Sequence, residues 1–529
     1  MKRSGQSVAA LAAVASLVVL AALSATLAWL GSAGSPQRLQ APLLVYCAAG
    51  NRAAIEPAVR QYEEEFDVPV RIQYGPSGAL ESQIELSGKG SLFIPAAIDP
   101  FLNRAQRKRL AREVIPLAEF RVVLALHPDV AETPTTWSEF LRLAIPYGLA
   151  NPEAAVGRAA QMALAKSQAW DEAKSTARVF LPTVTELAEA VRQGDEVRAA
   201  LLWDATARQY GLRAVELPEF SYPPAEIGVG VLESAPNPTA ALRLARYLAA
   251  PEKGQLFFQR QHYATQPGDP WAETPEVLLY SGTVNRRAIN DTIAEFQQRE
   301  GCRVTTVFEG CGTLVGMMRS GSDPDAYLAC DVSYVEQVHD RFFEPLPLSH
   351  NRLVMATRRD SPNRIETLTD LEQPGLRIGL CDPKLTALGD LTVRMLEAAG
   401  VLAGVEANQP STVTTGDLLV AQLLASDKLD VVIAYEANCI GAADQLKILP
   451  IDHPAALAIQ PFSIHRGAAY PQLVERLETT LQEARSQRRF ERAGFTWLAG
   501  PADPQAPQST QDSDLRTGSD PAQDRADPS

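Results

Sequence analysis

The sequence predicts an α/β fold built from two tandem copies of one domain, each copy having two lobes. The first observation is a repeated segment: LLVYCAAGNRAAI at 43–55 aligns without a gap with VLLYSGTVNRRAI at 277–289. The second is a set of shorter matches in the same order, of which GLANP at 148–152 faces GLCDP at 379–383. The third is that short apolar runs alternate with segments of helical spacing, which is typical of layered α/β domains.

The repeat also predicts the domain boundaries. ALLWDA at 200–205 faces VIAYEA at 432–437, so the matches keep nearly the same offset along the chain. Each copy is far longer than a solenoid unit and is long enough to fold alone. The segment QPGDPWAETPE at 266–276 has three Pro and one Gly, which is typical of a linker. We therefore expect one domain at 43–265 and another at 277–499.

The elements of each copy follow from the residue pattern. Short apolar runs suit buried strands, and apolar residues three or four positions apart suit helices. For the first copy this predicts the strand LLVYCA, a helix over 51–66, the strand VPVRIQYG, a helix over 80–86, the strand SLFIPAA, a helix over 100–110 and the strand FRVVLALH. For the second copy it predicts the strand EVLLYSG, a helix over 285–299, and the strands CRVTTVFEG, YLACD and NRLVMATR. The alternation predicts parallel sheets covered on both faces, arranged as two small lobes per copy.

The N-terminal segment 1–42 is predicted to be a membrane anchor or signal segment. Lys2 and Arg3 precede an apolar run from Val8 to Leu30. As a helix this run would be about 34 Å long, enough to cross a hydrocarbon core of about 30 Å. Its length favours an uncleaved anchor, while the small residues at 32–34 leave a cleaved signal as the alternative. The charges before the run place the rest of the chain outside the cytoplasm.

Composition excludes several classes of protein. The 529 residues carry 49 Lys and Arg against 63 Asp and Glu, a net charge of −14, so the chain is not a basic nucleic-acid binder. The hydrophobic fraction of 46% is enough for globular cores, and six cysteines are too few for a disulfide scaffold. The tail at 500–529 has six Asp and a single large apolar residue, Leu515, and is expected to be a disordered acidic tail.

Loops that follow the first two strands of each copy are the predicted ligand-binding positions. Small residues let backbone N–H groups approach a ligand, and hydroxyls with helix N-termini favour an anion. Ordinary strand-to-helix turns with N-caps are the alternative explanation. The candidates are Ala49, Gly50, Ser77 and Gly78 in the first copy, and Ser281, Gly282, Thr283, Cys311, Gly312 and Thr313 in the second.

The stretch from LLVYCAAGNRAAI to YGPSGALESQIE resembles the opening of the molybdate-binding proteins, which are periplasmic type II solute-binding components of ABC transporters. GLANP, GLCDP and VVIAYEA are similar to strand ends of that family, and LAAPEKGQLFFQRQHYA is similar to its closing helix. The resemblance implies two type II periplasmic-binding-protein domains, each of two α/β lobes around a cleft. It also implies capture of a small oxyanion and a membrane permease with an ATPase as partners.

The same resemblance adds candidate residues. The family's ligand tyrosine falls on Trp203 in the first copy and on Tyr435 in the second. Its first-loop serine falls on Gly50 and Val284, and its second-loop serine is Ser77 in the first copy but Cys311 in the second. With its hydroxyls and Tyr435 kept, the second copy is the expected binding site.

Acidic residues at strand ends of the second copy are further candidates. Asp331, Asp382 and Glu436 could bind a cation or orient a ligand, and helix capping is their alternative role.

Five of the six cysteines lie in the second copy. Cys311, Cys330, Cys381 and Cys439 fall at or just after strand ends and are expected to face the cleft between the lobes. A disulfide, isolated buried thiols, and a thiolate site for a soft metal or a reactive thiol all remain open.

Other chemistry is not indicated. The sequence has no GxxxxGK, GxGxxG or HExxH motif, and its six histidines show no metal-ligand spacing. We therefore expect no enzyme activity, no cofactor, no metal site set by spacing and no nucleic-acid partner. The predicted function is an extracytoplasmic, membrane-tethered solute-binding protein. Two alternatives are a sensory or scaffold protein that keeps the fold, and a ferric-ion, soft-metal or thiol site in the second domain.

Overall fold

The computed structural model describes residues 41–220 and 224–498. The apolar run predicted at 8–30 and the acidic tail predicted at 500–529 lie outside these ranges. Within the ranges, no helix has the length and apolar character needed to cross a membrane. The chain forms two compact units, with the main division between Trp271 and Ala272.

Residues 41–271 form a mixed α/β unit. Its strands are β1 (Leu43–Ala48), β2 (Val70–Gly75), β3 (Leu92–Ile94), β4 (Ala111–Phe120), β5 (Val122–Leu126), β6 (Tyr147–Ala150), β7 (Val179–Leu181), β8 (Ala199–Trp203), β9 (Arg213–Val215), β10 (Ala225–Leu232) and β11 (Ala264–Thr265). Its α-helices span Arg52–Phe66, Ser77–Ser87, Asn103–Arg107, Trp137–Arg142, Ala155–Lys166, Trp170–Thr176, Val184–Gln193, Asp204–Gln209, Pro238–Ala249 and Gly254–Arg260.

Residues 272–498 repeat this plan. The strands are β12 (Glu276–Gly282), β13 (Arg303–Glu309), β14 (Ala326–Leu328), β15 (Leu346–Arg358), β16 (Ile378–Cys381), β17 (Ser411–Val413), β18 (Val431–Tyr435), β19 (Leu446–Pro450), β20 (Leu457–Ile464) and β21 (Thr496–Trp497). The α-helices span Arg286–Glu300, Cys311–Arg319, Val332–Glu336, Ala387–Ala398, Leu402–Ala407, Gly416–Ala425, Glu436–Cys439, Pro471–Gln482 and Ala484–Arg492.

The first copy has one sheet in each lobe. The sheets are six-stranded, in the order β11-β4-β10-β3-β1-β2, and five-stranded, in the order β7-β6-β8-β5-β9. Strand β1 runs parallel to β2 and β3, but β10 runs antiparallel to β3 and β4. The expectation of purely parallel sheets is therefore wrong. Strand β10 in the six-stranded sheet and strand β5 in the five-stranded sheet run against the direction of the parallel core.

In the second copy one strand belongs to both lobes. Strand β15 pairs with β20 from Leu346 to Arg352 and with β18 from Leu353 onward. Strands of both lobes therefore form one ten-stranded sheet, with the path β13-β12-β14-β20-β15-β18-β16-β17 and with β19 and β21 on β15. In the first copy the chain is interrupted at Arg121, between β4 and β5. The sequence pattern predicted a helix over 100–110 and then the strand FRVVLALH, and it did not predict β4.

An arginine and an aromatic ring recur in both copies. The Arg52 guanidinium lies 4.1 Å from the centre of the Tyr74 ring, and that of Arg286 lies 4.5 Å from the centre of the Phe308 ring. These cation–π contacts join the start of the first helix to the second strand of each copy. They give both arginines a packing role.

Two equivalent glycines allow a helix to begin against a strand end. A Cβ on Gly157 would lie 2.2 Å from the carbonyl oxygen of Asn151, and a Cβ on Gly389 would lie 2.5 Å from that of Asp382. Any side chain would force the helix away from the strand. The helix Ala387–Ala398 therefore has its N-terminus at the carboxyl end of β16.

We predict that Gly389→Ala destabilises the second copy. The added methyl collides with backbone atoms that cannot move aside, a strain worth about 1–3 kcal/mol. Urea unfolding of the full Gly389→Ala chain should begin at a lower urea concentration than that of the wild type. Gly316→Ala is the matched control, because Gly316 also lies in a helix but has no neighbour within 4 Å of its Cβ position. Equal stability of the two variants would contradict the packing argument.

Candidate functional site

A cavity of about 30 Å³ lies in the cleft between the two lobes of the second copy. Its walls are residues at the carboxyl ends of strands and the starts of the helices that follow them. One lobe contributes Thr283, Val284, Gly310, Cys311 and Cys330, and the other contributes Thr386, Ala387, Leu388, Thr414, Thr415, Gly416, Tyr435 and Asn438. Pockets for drug-sized ligands are about 300–1,000 Å³. The cavity therefore suits a solute of very few atoms.

Helix N-termini point at the cavity from both lobes. Cys311 begins a helix in one lobe, and Ala387 and Gly416 each begin a helix in the other. The first N–H groups of a helix have no partner within it and carry partial positive charge, so they favour an anion. None of the side chains that the described residues contribute to this cavity is cationic. The attraction for an anion therefore comes from backbone dipoles and hydroxyls.

Within the described part of the chain, two hydroxyls at the cavity have no hydrogen-bond partner. The oxygen atoms of Thr283 and Tyr435 are both buried and unpaired, and the Tyr435 side chain is 2% exposed. Burial, with the nearby Cys330 and Asp331, raises the pKa of Tyr435 well above its ordinary value, so the group stays a neutral O–H donor. A buried unpaired hydroxyl is costly. A bound solute would supply the missing acceptor.

Tyr435 is held in place by a short chain of hydrogen bonds. Its backbone N–H donates to Oδ1 of Asn438 at 3.2 Å, and Nδ2 of Asn438 donates to Asp417 at 3.0 Å. Gly416 is required beside this amide, because a Cβ there would lie 2.3 Å from Oδ1 of Asn438. Asn438 thus fixes both the tyrosine and the helix Gly416–Ala425.

Three threonines at the cavity were not predicted from the sequence. Thr386 caps the helix Ala387–Ala398 by accepting the N–H of Gly389 at 2.9 Å, and Thr415 caps the helix that starts at Gly416. Thr414 lies beside Thr415 on the same wall. In the sequence, these threonines are marked only as residues that precede an apolar helix. Threonine is common at that position in many helices, so the pattern does not indicate a binding site.

Two thiols share the first wall of the cavity. The backbone N–H of Cys330 donates to Sγ of Cys311 at 3.1 Å. A Cβ placed on Gly282 would lie 1.9 Å from Sγ of Cys330 and 3.2 Å from Sγ of Cys311, so both sulfur atoms surround one point. All six cysteines lie in the described residues, where they are buried and form no disulfide bond. Cys381 and Cys439 do not join this pair at the cavity wall.

The two thiols differ in acidity. Burial alone would raise the pKa of Cys311, but hydrogen bonds from Cys330, Tyr327 and the Cys330 backbone outweigh it and lower that pKa. The hydrogen bond to Cys311, followed by burial, raises the pKa of Cys330 well above its ordinary value. These contacts therefore favour the thiolate form at Cys311 over that at Cys330.

The lobes of the second copy are in contact across the cleft. The N–H groups of Gly312 and Thr313 both donate to the carbonyl oxygen of Leu385, at 3.0 Å and 3.3 Å. The Tyr334 hydroxyl donates to the carbonyl oxygen of Thr386 at 3.3 Å. The structure is thus a closed form, and two N–H groups predicted to bind an anion are used to hold it closed.

Several other predicted residues have roles within the fold. Asp331 caps the helix Val332–Glu336 by accepting the N–H of Ser333 at 3.2 Å, and Asp382 accepts the N–H of Lys384 at 2.8 Å. The Ser281 hydroxyl is fully buried and donates to the Gly282 carbonyl oxygen. Of the predicted residues of this copy, only Thr283, Cys311, Cys330 and Tyr435 line the cavity, so Glu436 does not.

In the first copy the predicted polar groups already have partners within the protein. The Ser77 hydroxyl accepts the N–H of Ala96 at 3.0 Å, and the Gly50 carbonyl oxygen accepts the Tyr263 hydroxyl at 3.0 Å. Trp203 stacks on Phe120, with ring centres 4.1 Å apart. Ala49 begins a short 3₁₀ turn, and Gly78 has open space at its Cβ position.

The part of the chain that the structure describes has no cluster of three or more His, Cys, Asp or Glu able to hold a metal ion. A cavity between two α/β lobes, lined by strand ends and helix N-termini, is the arrangement of a solute-binding protein. The chain belongs to the bacterial extracellular solute-binding protein family, whose sequence profile matches residues 43–264 and again residues 277–496. The tandem duplication is therefore a duplication of one complete family domain.

Individual relatives are distant. The molybdate-binding protein ModA of Mycobacterium bovis is 18% identical over 237 residues, which cover 44% of this chain and 88% of the relative. A putative ABC transporter substrate-binding lipoprotein of Bacillus subtilis, YvgL, is 24% identical over 220 residues, covering 41% of this chain and 84% of the relative. Among solved structures, the substrate-binding domain of a putative molybdenum ABC transporter from Clostridium difficile is 20% identical, with a TM-score of 0.36, and covers 43% of this chain and 99% of its own.

Proposed function

We propose that this solute-binding protein captures a small, molybdate-like oxyanion in the cleft of its second copy. The observation that carries the proposal is the pair of buried, unpaired hydroxyls of Thr283 and Tyr435, facing a cavity where helices begin. The closed lobes favour a mechanism in which the solute selects the closed state through contacts to both walls. The name of the molybdate-binding relative from Mycobacterium bovis supports the same class of solute.

The direct test is a thermal-shift screen of the full chain. Molybdate, tungstate, sulfate and phosphate should be compared at increasing concentration, with ferric iron and organic anions as other candidates. A solute that binds only the folded protein raises Tm as its concentration rises. If none of the oxyanions shifts Tm while another compound does, the oxyanion part of the proposal is wrong.

We predict that Tyr435→Phe weakens oxyanion binding without lowering stability. A hydrogen bond to a charged ligand contributes about 1.5–3 kcal/mol, so the affinity should fall roughly tenfold or more. The free hydroxyl makes no bond within the protein, so its loss should leave Tm of the unliganded chain unchanged or raised. Calorimetric titration and thermal unfolding measure the two effects.

Tyr263→Phe in the first copy is the matched control for this prediction. Its hydroxyl donates to the Gly50 carbonyl oxygen, so the variant should lose stability while keeping the wild-type affinity. Unchanged affinity in Tyr435→Phe would reject the site assignment.

The first copy is proposed to act as a scaffold. Its Ser77 and Gly50 are bonded to other parts of the same unit, and Trp203 is packed against Phe120. This favours a scaffold or sensory role for that copy alongside capture by the second.

The protein is proposed to lie outside the cytoplasm, tethered by its N-terminal segment, and to deliver its solute to an ABC permease and ATPase. The support is the apolar run from Val8 to Leu30 and the lipoprotein and transporter names among its relatives. We predict that the full chain stays with the membrane after an alkaline carbonate wash and is released by detergent. A variant lacking residues 2–31 should remain in the cytoplasm. Recovery of full-length-encoded protein in the soluble extracytoplasmic fraction, shortened at 32–34, would instead show a cleaved signal.

A further inference from the structure

The wall of the cavity in the second copy carries two kinds of ligand group. One kind is soft: the thiols of Cys311 and Cys330, both at the cavity. The other kind is hard: the unpaired hydroxyls of Thr283 and Tyr435. An oxyanion held only by hydrogen bonds uses the second kind and leaves the thiols without a role. A soft cation uses the first kind and leaves the hydroxyls unpaired.

The two thiols are placed to act together. Both sulfur atoms lie within 3.2 Å of one point beside Gly282, although they come from different loops of the lobe. The Cys330 backbone N–H at 3.1 Å and the start of the helix Cys311–Arg319 both favour a negative sulfur at Cys311. The two sulfur atoms therefore lie close together, and both residues line the cavity.

A solute that satisfies both sets must carry a thiophilic centre and an oxygen. We propose that the cavity of the second copy binds a trivalent metalloid oxyacid of the arsenite class. Cys311 and Cys330 bond to the metalloid, and its remaining oxygen is hydrogen-bonded to Tyr435 and Thr283. This inference rests on the proposed function in taking the second cleft as the solute site, and it assigns a different solute chemistry to that cleft.

The reaction of arsenous acid with the two thiols needs no oxidant. Arsenous acid has three As–O bonds; two As–S bonds form and two of the As–O bonds break. The protons of the two thiol equivalents leave with the two hydroxyl groups as two molecules of water. Arsenic stays trivalent and keeps one hydroxyl. No electron is transferred, and the reaction reverses when water and a competing dithiol are supplied.

The size of the cavity fits the product of this reaction. A water molecule needs about 10–15 Å³ of such space, so a volume of about 30 Å³ holds two atoms of that size. The bound fragment adds only one arsenic and one oxygen. The closed form seen here thus has room for the metalloid fragment.

The test uses the purified full chain, reduced and desalted, with all six thiols confirmed by thiol titration in denaturant. Sodium arsenite is the probe. The wild-type chain should retain about one arsenic per chain, and native mass spectrometry should show the mass of arsenous acid less two waters. Cys311→Ser and Cys330→Ser should each weaken retention by about 100-fold, because a second bond to the same centre forms within the complex.

Cys47→Ser is the matched control, since Cys47 is also a buried thiol at a strand end but lies in the first copy. It should bind arsenite as the wild type does. The mass of the wild-type adduct tests the two-thiol bond without any variant, so a variant that fails to fold does not decide the result. An adduct that has lost only one water, or retention as strong as that of the wild type in either the Cys311→Ser or the Cys330→Ser chain, would overturn the inference.

Parallel thermal shifts with molybdate and sulfate separate this inference from the proposed function. A Tm rise with molybdate and no arsenic uptake would overturn the inference and leave the proposed function standing. Arsenic uptake through both thiols with no response to molybdate or sulfate would support the thiol site and remove the molybdate-like solute. No response to either probe would overturn both.

Discussion

The second cleft depends on one strand that belongs to two lobes. Strand β15 changes its partner from β20 to β18 between Arg352 and Leu353, so a continuous backbone joins the lobes. Each lobe keeps its parallel core on its own side of this strand, with the carboxyl ends of its strands directed at the other lobe. Because helices follow those strand ends, their N-terminal N–H groups meet in the cleft. The preference of the site for negative charge therefore comes from the backbone N–H groups and not from particular side chains.

A comparison of the two copies shows which residues this arrangement requires and which residues can differ. Gly157 and Gly389 are both kept, because a Cβ at either position would collide with a carbonyl oxygen at 2.2–2.5 Å. Other strand-end positions have diverged: Cys47 faces Ser281 in the alignment, and Trp203 faces Tyr435. In the first copy the diverged groups find partners inside the unit, whereas Tyr435 in the second does not. Packing has thus been maintained in both copies and an unsatisfied polar cleft in only one.

The repeat and the strand-end loops could be predicted from the sequence because they depend on local pattern. Strand β4 could not, since Ala111–Phe120 mixes charged residues and a proline with apolar ones, and it is a strand only because β10 pairs with it. Asp331 and Asp382 were placed in the site because a strand-end carboxylate looks the same whether it caps a turn or meets a ligand. Thr386, Thr415 and Asn438 were missed for the converse reason: capping residues are common, and only the folded chain brings these three to one cavity.

The acidity of Cys311 constrains which solute the closed cleft can hold. Hydrogen bonds to Cys311 favour its thiolate form, and a negative charge there would lie in a buried site where it is only weakly screened. A solute that bonds to sulfur removes the thiolate charge as it binds. The same hydrogen bonds then prepare the nucleophile, and the hydroxyls of Thr283 and Tyr435 hold the oxygen. On this reasoning the thiol pair and the unpaired hydroxyls belong to one site with one solute.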